Sequence, residues 1–377
     1  MTILGDGGRA EKAFFQGDVS VTVLSNRDKP FTTNALKILK KNTPLEKFGW
    51  VGKVKCMDVK IILPLVILSS QIASAQLVTE SFGSGANAFS MDFVTIGNPN
   101  NAADTTGAPN PVGAVAYSYQ IGKYEVSRDM ITKATSAGSL GITLQDMTSY
   151  GGNGANRPAT GVSWNEAARF VNWLNTSKGY QAAYNFTTSG ANDNITLWGA
   201  GQYSGSNQYR HKDAYYFLPT LDEWYKAAYG KADGTGWYNF PTGSDSAPTA
   251  VASGTLLNTA VYGGQSGPAD ITNAGGLSAY GTMAQAGNAQ ELTETAFDGV
   301  NNSASEIREL RGGSWGIGSG DLGAANRLNI APTNGGFSSG FRVASVPEPG
   351  SASLVILGLA AVLARRRRSA RGVAARR

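Results

Sequence analysis

Two segments of the chain show the spacing of apolar residues that is typical of amphipathic helices. The first begins with a capping box, in which the Ser163 hydroxyl accepts from a backbone N–H three residues on and Glu166 reaches back. Apolar residues then recur at helical spacing at Ala167, Phe170, Val171 and Leu174. A second capping box, Thr220 to Glu223, opens the run EWYKAAYG, which ends at Gly230. The pattern predicts two helices, beginning near residues 164 and 221.

The remaining apolar runs are short and of the β type. They lie at residues 93–96, 115–121 and 124–126, and turn residues separate them. The pattern predicts a flexible leader over residues 76–90, then a strand, a long loop and a hairpin, and residues 230–305 are expected to be nearly all loop. Such a body fits neither a doubly wound sheet nor a sandwich, so we expect a loop-rich α+β single domain.

The segment from Met57 to Ala75 has the layout of a secretory signal peptide. Lys60 precedes an apolar run, and Ala73 and Ala75 form an A-x-A cleavage site. A buried strand is the alternative interpretation. Because signal peptides occur at N-termini, we expect Met57 to be the true start and residues 1–56 to be a mis-called upstream extension or a dispensable leader.

Residues 346–377 contain three ordered features: the Pro347-Glu348-Pro349 motif, an apolar run over residues 351–364, and the cluster Arg365, Arg366, Arg367 and Arg368. Arginines behind such a run hold that end on the cytoplasmic side of a membrane. The arrangement resembles the PEP-CTERM sorting signal of exported bacterial proteins. The resemblance implies export, transient membrane retention through residues 351–364 and processing by an exosortase-type enzyme; a basic nucleic-acid-binding tail is the alternative.

Charge and cysteine content restrict the chemistry of the body between these segments. The chain carries a net charge of +5, but residues 76–346 hold 14 Lys and Arg against 20 Asp and Glu. The basic character therefore belongs to the targeting segments, and no nucleic acid is expected as a partner. The single cysteine, Cys56, precedes residue 57, so we expect no disulfide framework, thiol nucleophile or cysteine metal site in the body.

Six ordered segments resemble one family. They are IGKYEVS (121–127), RPATGVSWNEAARFVNWLN (157–175), FLPTLDEWYKAAYG (217–230), YGTMAQAGNAQEL (280–292), LRGGSW (310–315) and GFRVA (340–344). Over residues 91–345 the chain resembles the formylglycine-generating enzyme, or sulfatase-modifying factor, domain. The resemblance implies a C-type-lectin-like α+β fold with little regular secondary structure.

The family's founding activity is not expected here. Those enzymes oxidise a sulfatase cysteine with a copper(I)-binding cysteine pair that follows a Gly-Gly-Ser motif. This chain keeps the motif up to Ser314 and Trp315, but Ile317 and Leu322 stand where the cysteines belong. Copper(I) needs sulfur ligands, so the resemblance implies a degenerate site without copper. A second branch of the family uses non-haem iron and a histidine cluster, whereas His211 is the only histidine.

The family also carries calcium sites, one on a segment that corresponds to residues 284–292. Glu291 and the backbone carbonyls of Gly287 and Ala289 are the candidate ligands, oxygen donors of the kind that calcium prefers. Ala284 stands where the family has a side-chain ligand. Calcium is therefore the one cofactor that the resemblance implies, and a metal-free structural turn is the alternative.

Three other patterns have both a functional and a structural interpretation. The pairs Asp222/Glu223 and Glu291/Glu294 could act as acid and base, but a structural role is favoured. Arg311 and Arg342 are interpreted as buried ion-pair partners. The run GSGDLG (318–323) fits G-x-G-x-x-G yet lacks the βαβ context of a dinucleotide site. Loops such as residues 198–210, rich in Tyr, Trp, Asn and Ser, suit a carbohydrate or protein ligand.

The sequence therefore predicts an exported bacterial protein of the cell envelope or extracellular space. We expect a binding or structural role in an extracellular matrix. The alternative is an enzyme of unassigned, cysteine-independent chemistry in the same cleft.

Overall fold

The structure, a computed structural model, describes residues 76–187 and 193–346 and, before residue 76, the backbone of four short strands. These strands form a sheet of order β2-β1-β3-β4 within a separate unit, residues 1–69. They are β1 (Thr2–Leu4), β2 (Ala10–Lys12), β3 (Val19–Val23) and β4 (Lys37–Lys40). The predicted signal peptide with Ala73 and Ala75, and the sorting segment after residue 346, lie outside the described residues.

The described residues of the main unit form three α-helices: α1 (Arg128–Gly138), α2 (Trp164–Ser177) and α3 (Leu221–Tyr229). Both predicted capping boxes are confirmed. Ser163 Oγ accepts from Glu166 N at 3.2 Å while Glu166 Oε2 accepts from Ser163 N at 2.8 Å, and Thr220 and Glu223 repeat the arrangement. Helix α1 was not predicted, because its buried side is small, and its third residue, Met130, is not a capping-box carboxylate.

The main unit contains a five-stranded sheet of order β5-β6-β7-β15-β8. Its strands are β5 (Leu77–Phe82), β6 (Phe89–Ile96), β7 (Tyr119–Gly122), β8 (Tyr216–Phe217) and β15 (Ala344–Ser345). The prediction of a flexible leader over residues 76–90 is wrong, because β5 pairs with β6 in antiparallel register along its whole length. The predicted hairpin is also wrong: β7 begins only at Tyr119, and residues 124–126 are not a strand.

The main unit also contains a four-stranded sheet of order β13-β12-β11-β14. Its strands are β11 (Gln290–Ala296), β12 (Arg308–Arg311), β13 (Leu328–Ile330) and β14 (Ser339–Phe341). Strand β11 and the two-stranded pair β9 (Thr249–Ala250) and β10 (Thr259–Ala260) correct the prediction that residues 230–305 are nearly all loop. Strand β11 was not predicted because its sequence, QELTETA, is mostly polar, although most of the strand is buried.

Helix α2 packs into the main core with residues of both sheets. Phe170 contacts Phe341 of β14 edge-on, with ring centroids 5.6 Å apart, and Trp164 Nε1 donates to the carbonyl of Thr293 on β11 at 2.9 Å. The expected loop-rich α+β class is confirmed. Among the described residues no helix is both long and apolar enough to cross a membrane.

Candidate functional site

The Gly-Gly-Ser motif forms a tight turn at the end of β12. Gly312 and Gly313 have φ values of +88° and +73°, which disfavour side chains. A Cβ on Gly312 would lie 2.7 Å from the carbonyl oxygen of Gln285, and one on Gly313 would lie 2.7 Å from Leu322 Cδ2. Both glycines are therefore required by the turn, which holds the following loop against the 284–290 segment.

The first two residues of the loop that follows are buried. Ser314 and Trp315 are each 3% exposed, and the Trp315 carbonyl accepts from Gly264 N at 3.1 Å and Gln265 N at 2.9 Å. The GSGDLG run forms a 3-10 turn over Ser319–Leu322 instead of the long helix that a dinucleotide site requires.

The two positions where the family would place cysteines have different environments. Leu322 is fully buried in a small cluster with Ala260, Tyr262 and Ala286, and its carbonyl accepts from the Tyr229 hydroxyl at 2.9 Å. Ile317 is half-buried, and its carbonyl accepts from Gly263 N at 2.8 Å. Position 322 thus contributes to packing rather than to an open reactive surface.

Beside this loop lies an aromatic platform, which consists of Tyr150, Trp315 and Phe337. The Tyr150 and Phe337 rings are 4.4 Å apart, and the Trp315 ring lies 5.6 Å from Phe337 and 6.3 Å from Tyr150. Tyr150 and Phe337 are both 38% exposed while Trp315 is buried beneath them. Two ring surfaces therefore reach solvent next to a buried ring. Sequence reasoning missed this arrangement because the three residues are far apart in the chain.

The candidate calcium ligand Glu291 already has a cation partner. Its Oε2 accepts from Arg342 Nε at 2.5 Å and from Trp224 Nε1 at 2.6 Å, and its Oε1 accepts from Arg342 Nη2 at 2.5 Å. Both side chains of the ion pair are fully buried. Gly287, Ala289 and Glu291 therefore do not fit a calcium site that uses the Glu291 carboxylate. Within the described residues no group of three or more His, Cys, Asp and Glu could hold a metal ion.

Glu125 lies next to this ion pair and lines a cavity of about 430 Å³. Its Oε1 accepts from Ala289 N at 2.9 Å and its Oε2 accepts from Asn288 Nδ2 at 2.6 Å. Burial, followed by the negative charge of Glu291, raises the pKa of Glu125 to about 8. Sequence reasoning missed this residue; its position in IGKYEVS gave no sign that the carboxyl would be buried.

The carboxylates of Glu291 and Glu294 have separate partners and do not form a pair. Glu291 contacts Arg342, whereas Glu294 accepts from the Tyr184 hydroxyl at 2.8 Å and from Asn207 Nδ2 at 2.5 Å. Burial raises the pKa of Glu294, and Arg210, 3.5 Å away through Nε, opposes that rise. Sequence reasoning did not identify Arg210 as a partner for these carboxylates.

The remaining candidates have structural partners. Arg311 is buried and donates to the carbonyls of Ala108 at 3.0 Å and Ala324 at 2.9 Å, so the structural interpretation fits. The side chain of His211 is 12% exposed and packs edge-on against Trp198, with ring centroids 4.7 Å apart. Its Nδ1 accepts from Asp213 N at 3.2 Å.

Comparisons with known proteins agree with this architecture. Residues 86–346 match the family described as "Sulfatase-modifying factor enzyme 1-like domain", and residues 345–368 match the PEP-CTERM protein-sorting motif. No protein with a curated description matches the chain.

Similar solved structures include "Treponema denticola variable protein 1" (21% identity, TM-score 0.48, 72% of this chain and 99% of that one). "Crystal Structure of CarF" shares 18% identity at a TM-score of 0.47, and the match covers 68% of this chain and 99% of that one. "Structure of PvdO from Pseudomonas aeruginosa" shares 17% identity at a TM-score of 0.46, and the match covers 71% of this chain and 98% of that one.

The sorting motif identifies an exported protein that is anchored in the membrane before an exosortase processes it. Because the domain match covers more than half of the chain, this protein belongs to the family with a sulfatase-modifying factor enzyme 1-like domain.

Proposed function

We propose that this exported protein uses its domain to bind a carbohydrate or protein ligand in the extracellular matrix, and that it does not generate formylglycine. The sequence around the Gly-Gly-Ser turn supports the proposal that formylglycine is not generated. Ile317 and Leu322 supply no sulfur, and the only cysteine of the chain is Cys56. Without thiols the loop has neither the ligands for copper(I) nor the group that would exchange electrons.

The aromatic platform supports binding at the same place. Aromatic rings stack on the apolar faces of sugars and also contribute to protein interfaces, since they supply contact area at little cost in conformational entropy. Tyr150 and Phe337 offer such rings, and Trp315 beneath them fixes their positions.

Two measurements test this proposal. The purified protein, incubated with copper and a peptide that carries a sulfatase-type cysteine, should yield no aldehyde by mass spectrometry. On an array of bacterial polysaccharides and matrix proteins, the wild type should bind at least one probe, and Phe337→Ala should weaken that binding about tenfold or more. Aldehyde formation, or binding that Phe337→Ala and Tyr150→Ala leave unchanged, would overturn it.

An enzyme with cysteine-independent chemistry is the second candidate, and Glu125 favours it. A carboxyl group with a pKa near neutrality that lines a cavity has the properties of a general acid or base. Stoichiometric copper or iron in the purified protein would contradict a purely binding role.

A further inference from the structure

A small cavity, here called the lysine cavity, lies at the C-terminal end of α3. Its volume is about 140 Å³, so it suits a small molecule or one group of a larger one. The residues that define its chemistry are Asn98, Lys226, Lys231, Trp237 and Tyr280. None of them belongs to the aromatic platform, and none lines the cavity that contains Glu125.

Lys226 is the buried charge of this cavity. It lies in the last turn of α3 and is 1% exposed. Its Nζ donates to the backbone carbonyl of Asn98 at 2.8 Å, and Asn98 is itself part of the lining. An ammonium group has three hydrogens to donate, and in the described part of the chain only this one bond is made. Two donors of a buried cation are therefore left for a ligand.

Lys226 also has no counter-charge among the residues that the structure describes. Burial alone lowers its pKa to about 8, with no contribution from a neighbouring carboxylate. Most of the side chain is therefore still charged at neutral pH. A buried cation without a counter-charge is costly, and an anion that enters the cavity would offset that cost.

The rest of the lining also favours a negative ligand. Lys231 is a second cation, and within the described residues no Asp or Glu lines the cavity. Asp233 belongs to the same loop, but it is exposed and its Oδ1 accepts from Thr235 N at 2.9 Å. Two carbonyls at the end of α3, whose partial negative charge would repel an anion, accept from Gly230 N at 3.0 Å and Tyr238 N at 2.7 Å.

Tyr280 and Trp237 narrow the choice of anion. The Tyr280 hydroxyl accepts from Asn98 Nδ2 at 3.1 Å, and burial raises its pKa, so the hydroxyl keeps a hydrogen to donate. The Trp237 ring is half-buried and packs on Tyr225, with ring centroids 5.3 Å apart. An indole offers an inorganic anion little, whereas the carbon chain of an organic acid can pack against it.

We propose that the lysine cavity binds a small organic carboxylate, whose oxygens accept from Lys226 Nζ and the Tyr280 hydroxyl and whose carbon chain packs on Trp237. Lys231 adds a second positive charge to the same lining. This site is separate from the aromatic platform, so each can fail without the other.

The test compares carboxylates with neutral and inorganic counterparts. Acetate, propionate and butyrate, each with its amide, and inorganic phosphate are titrated into the purified protein by calorimetry at pH 7. Lys226→Met replaces the ammonium with an apolar group, a change that buried ionic positions often tolerate. Lys212→Met is the matched control, because Lys212 is exposed and does not line the cavity. Tyr280→Phe removes the second donor and keeps the ring.

We expect at least one carboxylate to bind more tightly than its amide and than phosphate. Lys226→Met should weaken that binding about tenfold or more, as for a hydrogen bond to a charged group, and Tyr280→Phe about fivefold. Lys212→Met and Phe337→Ala should leave it unchanged. Near pH 8 binding should take up protons, because the carboxylate favours the charged form of Lys226, and Lys226→Met should abolish this uptake.

Four results would each overturn the inference. They are that no carboxylate binds, that an amide or phosphate binds at least as tightly, that Lys226→Met binds like the wild type, or that Tyr280→Phe does. The last result decides the matter even where Lys226→Met does not fold.

Discussion

Replacing Arg342 with methionine should destabilise the domain by about 5 kcal/mol, because the change leaves the carboxylate of Glu291 buried without its counter-charge. Removing one partner of a buried ion pair costs about 3–5 kcal/mol. Arg342 also donates to the carbonyls of Gly122 and Met283, both at 2.8 Å, and each lost bond adds about 1 kcal/mol. Since domains are stable by only about 5–15 kcal/mol, the loss should be plain in a urea titration.

The partner substitution should cost less. In Glu291→Gln the side-chain oxygen can still accept from Trp224 Nε1, and Arg342 keeps its backbone carbonyl partners. The double variant Glu291→Gln/Arg342→Met removes both charges, so it should be more stable than the sum of the single losses by about 2 kcal/mol or more. Tryptophan fluorescence at pH 7 gives the free energies of unfolding. Strict additivity, or a loss below about 1 kcal/mol for Arg342→Met, would refute the role assigned to this pair.

Three further predictions concern stability. Ser163→Ala should cost about 1 kcal/mol through loss of the α2 cap, whereas Ser177→Ala at the other end of the helix should cost less; equal losses in urea would contradict the capping argument. Because the folded-state pKa of Glu125 is raised from 4.5 to about 8, its contribution to stability is present below pH 4.5 and is lost as the pH rises through 8. In Glu125→Gln the urea midpoint should therefore depend less on pH over this range. An unchanged pH dependence would assign it to other groups. Gly312→Ala should lower the melting temperature by several degrees, while Gly316→Ala, which has open space around it, should have almost no effect.

Local signals in the sequence were sufficient for two of the three helices. The capping boxes at Ser163 and Thr220 involve residues only three positions apart, so their geometry is contained in the sequence. The loop-rich α+β class followed in the same way from short apolar runs divided by turn residues.

The charged strands could not be predicted from hydropathy. Strand β12 reads RELR and all four residues are buried, because their partners come from distant segments. Glu309, for example, accepts from Arg327 on the chain segment before β13, at 2.6 Å for Oε2. Alternation of apolar and polar residues does not report a strand whose buried groups are ionic.

The candidate site shows the same limit. Sequence reasoning proposed Glu291 as a metal ligand but did not consider it together with Arg342, 51 positions away. It likewise missed the aromatic platform, since its three residues lie far apart in the chain.

The position of β15 bears on how this protein withstands tension. Ala344 and Ser345 are hydrogen-bonded between β7 on one side and β8 on the other, and Val346 N donates to the Tyr215 carbonyl at 3.1 Å. A pull applied through residue 346, where the sorting segment follows, acts on this interior strand and loads hydrogen bonds on both of its edges. While the protein is anchored, mechanical load therefore enters the sheet at an interior strand, which resists extraction better than a peeling edge.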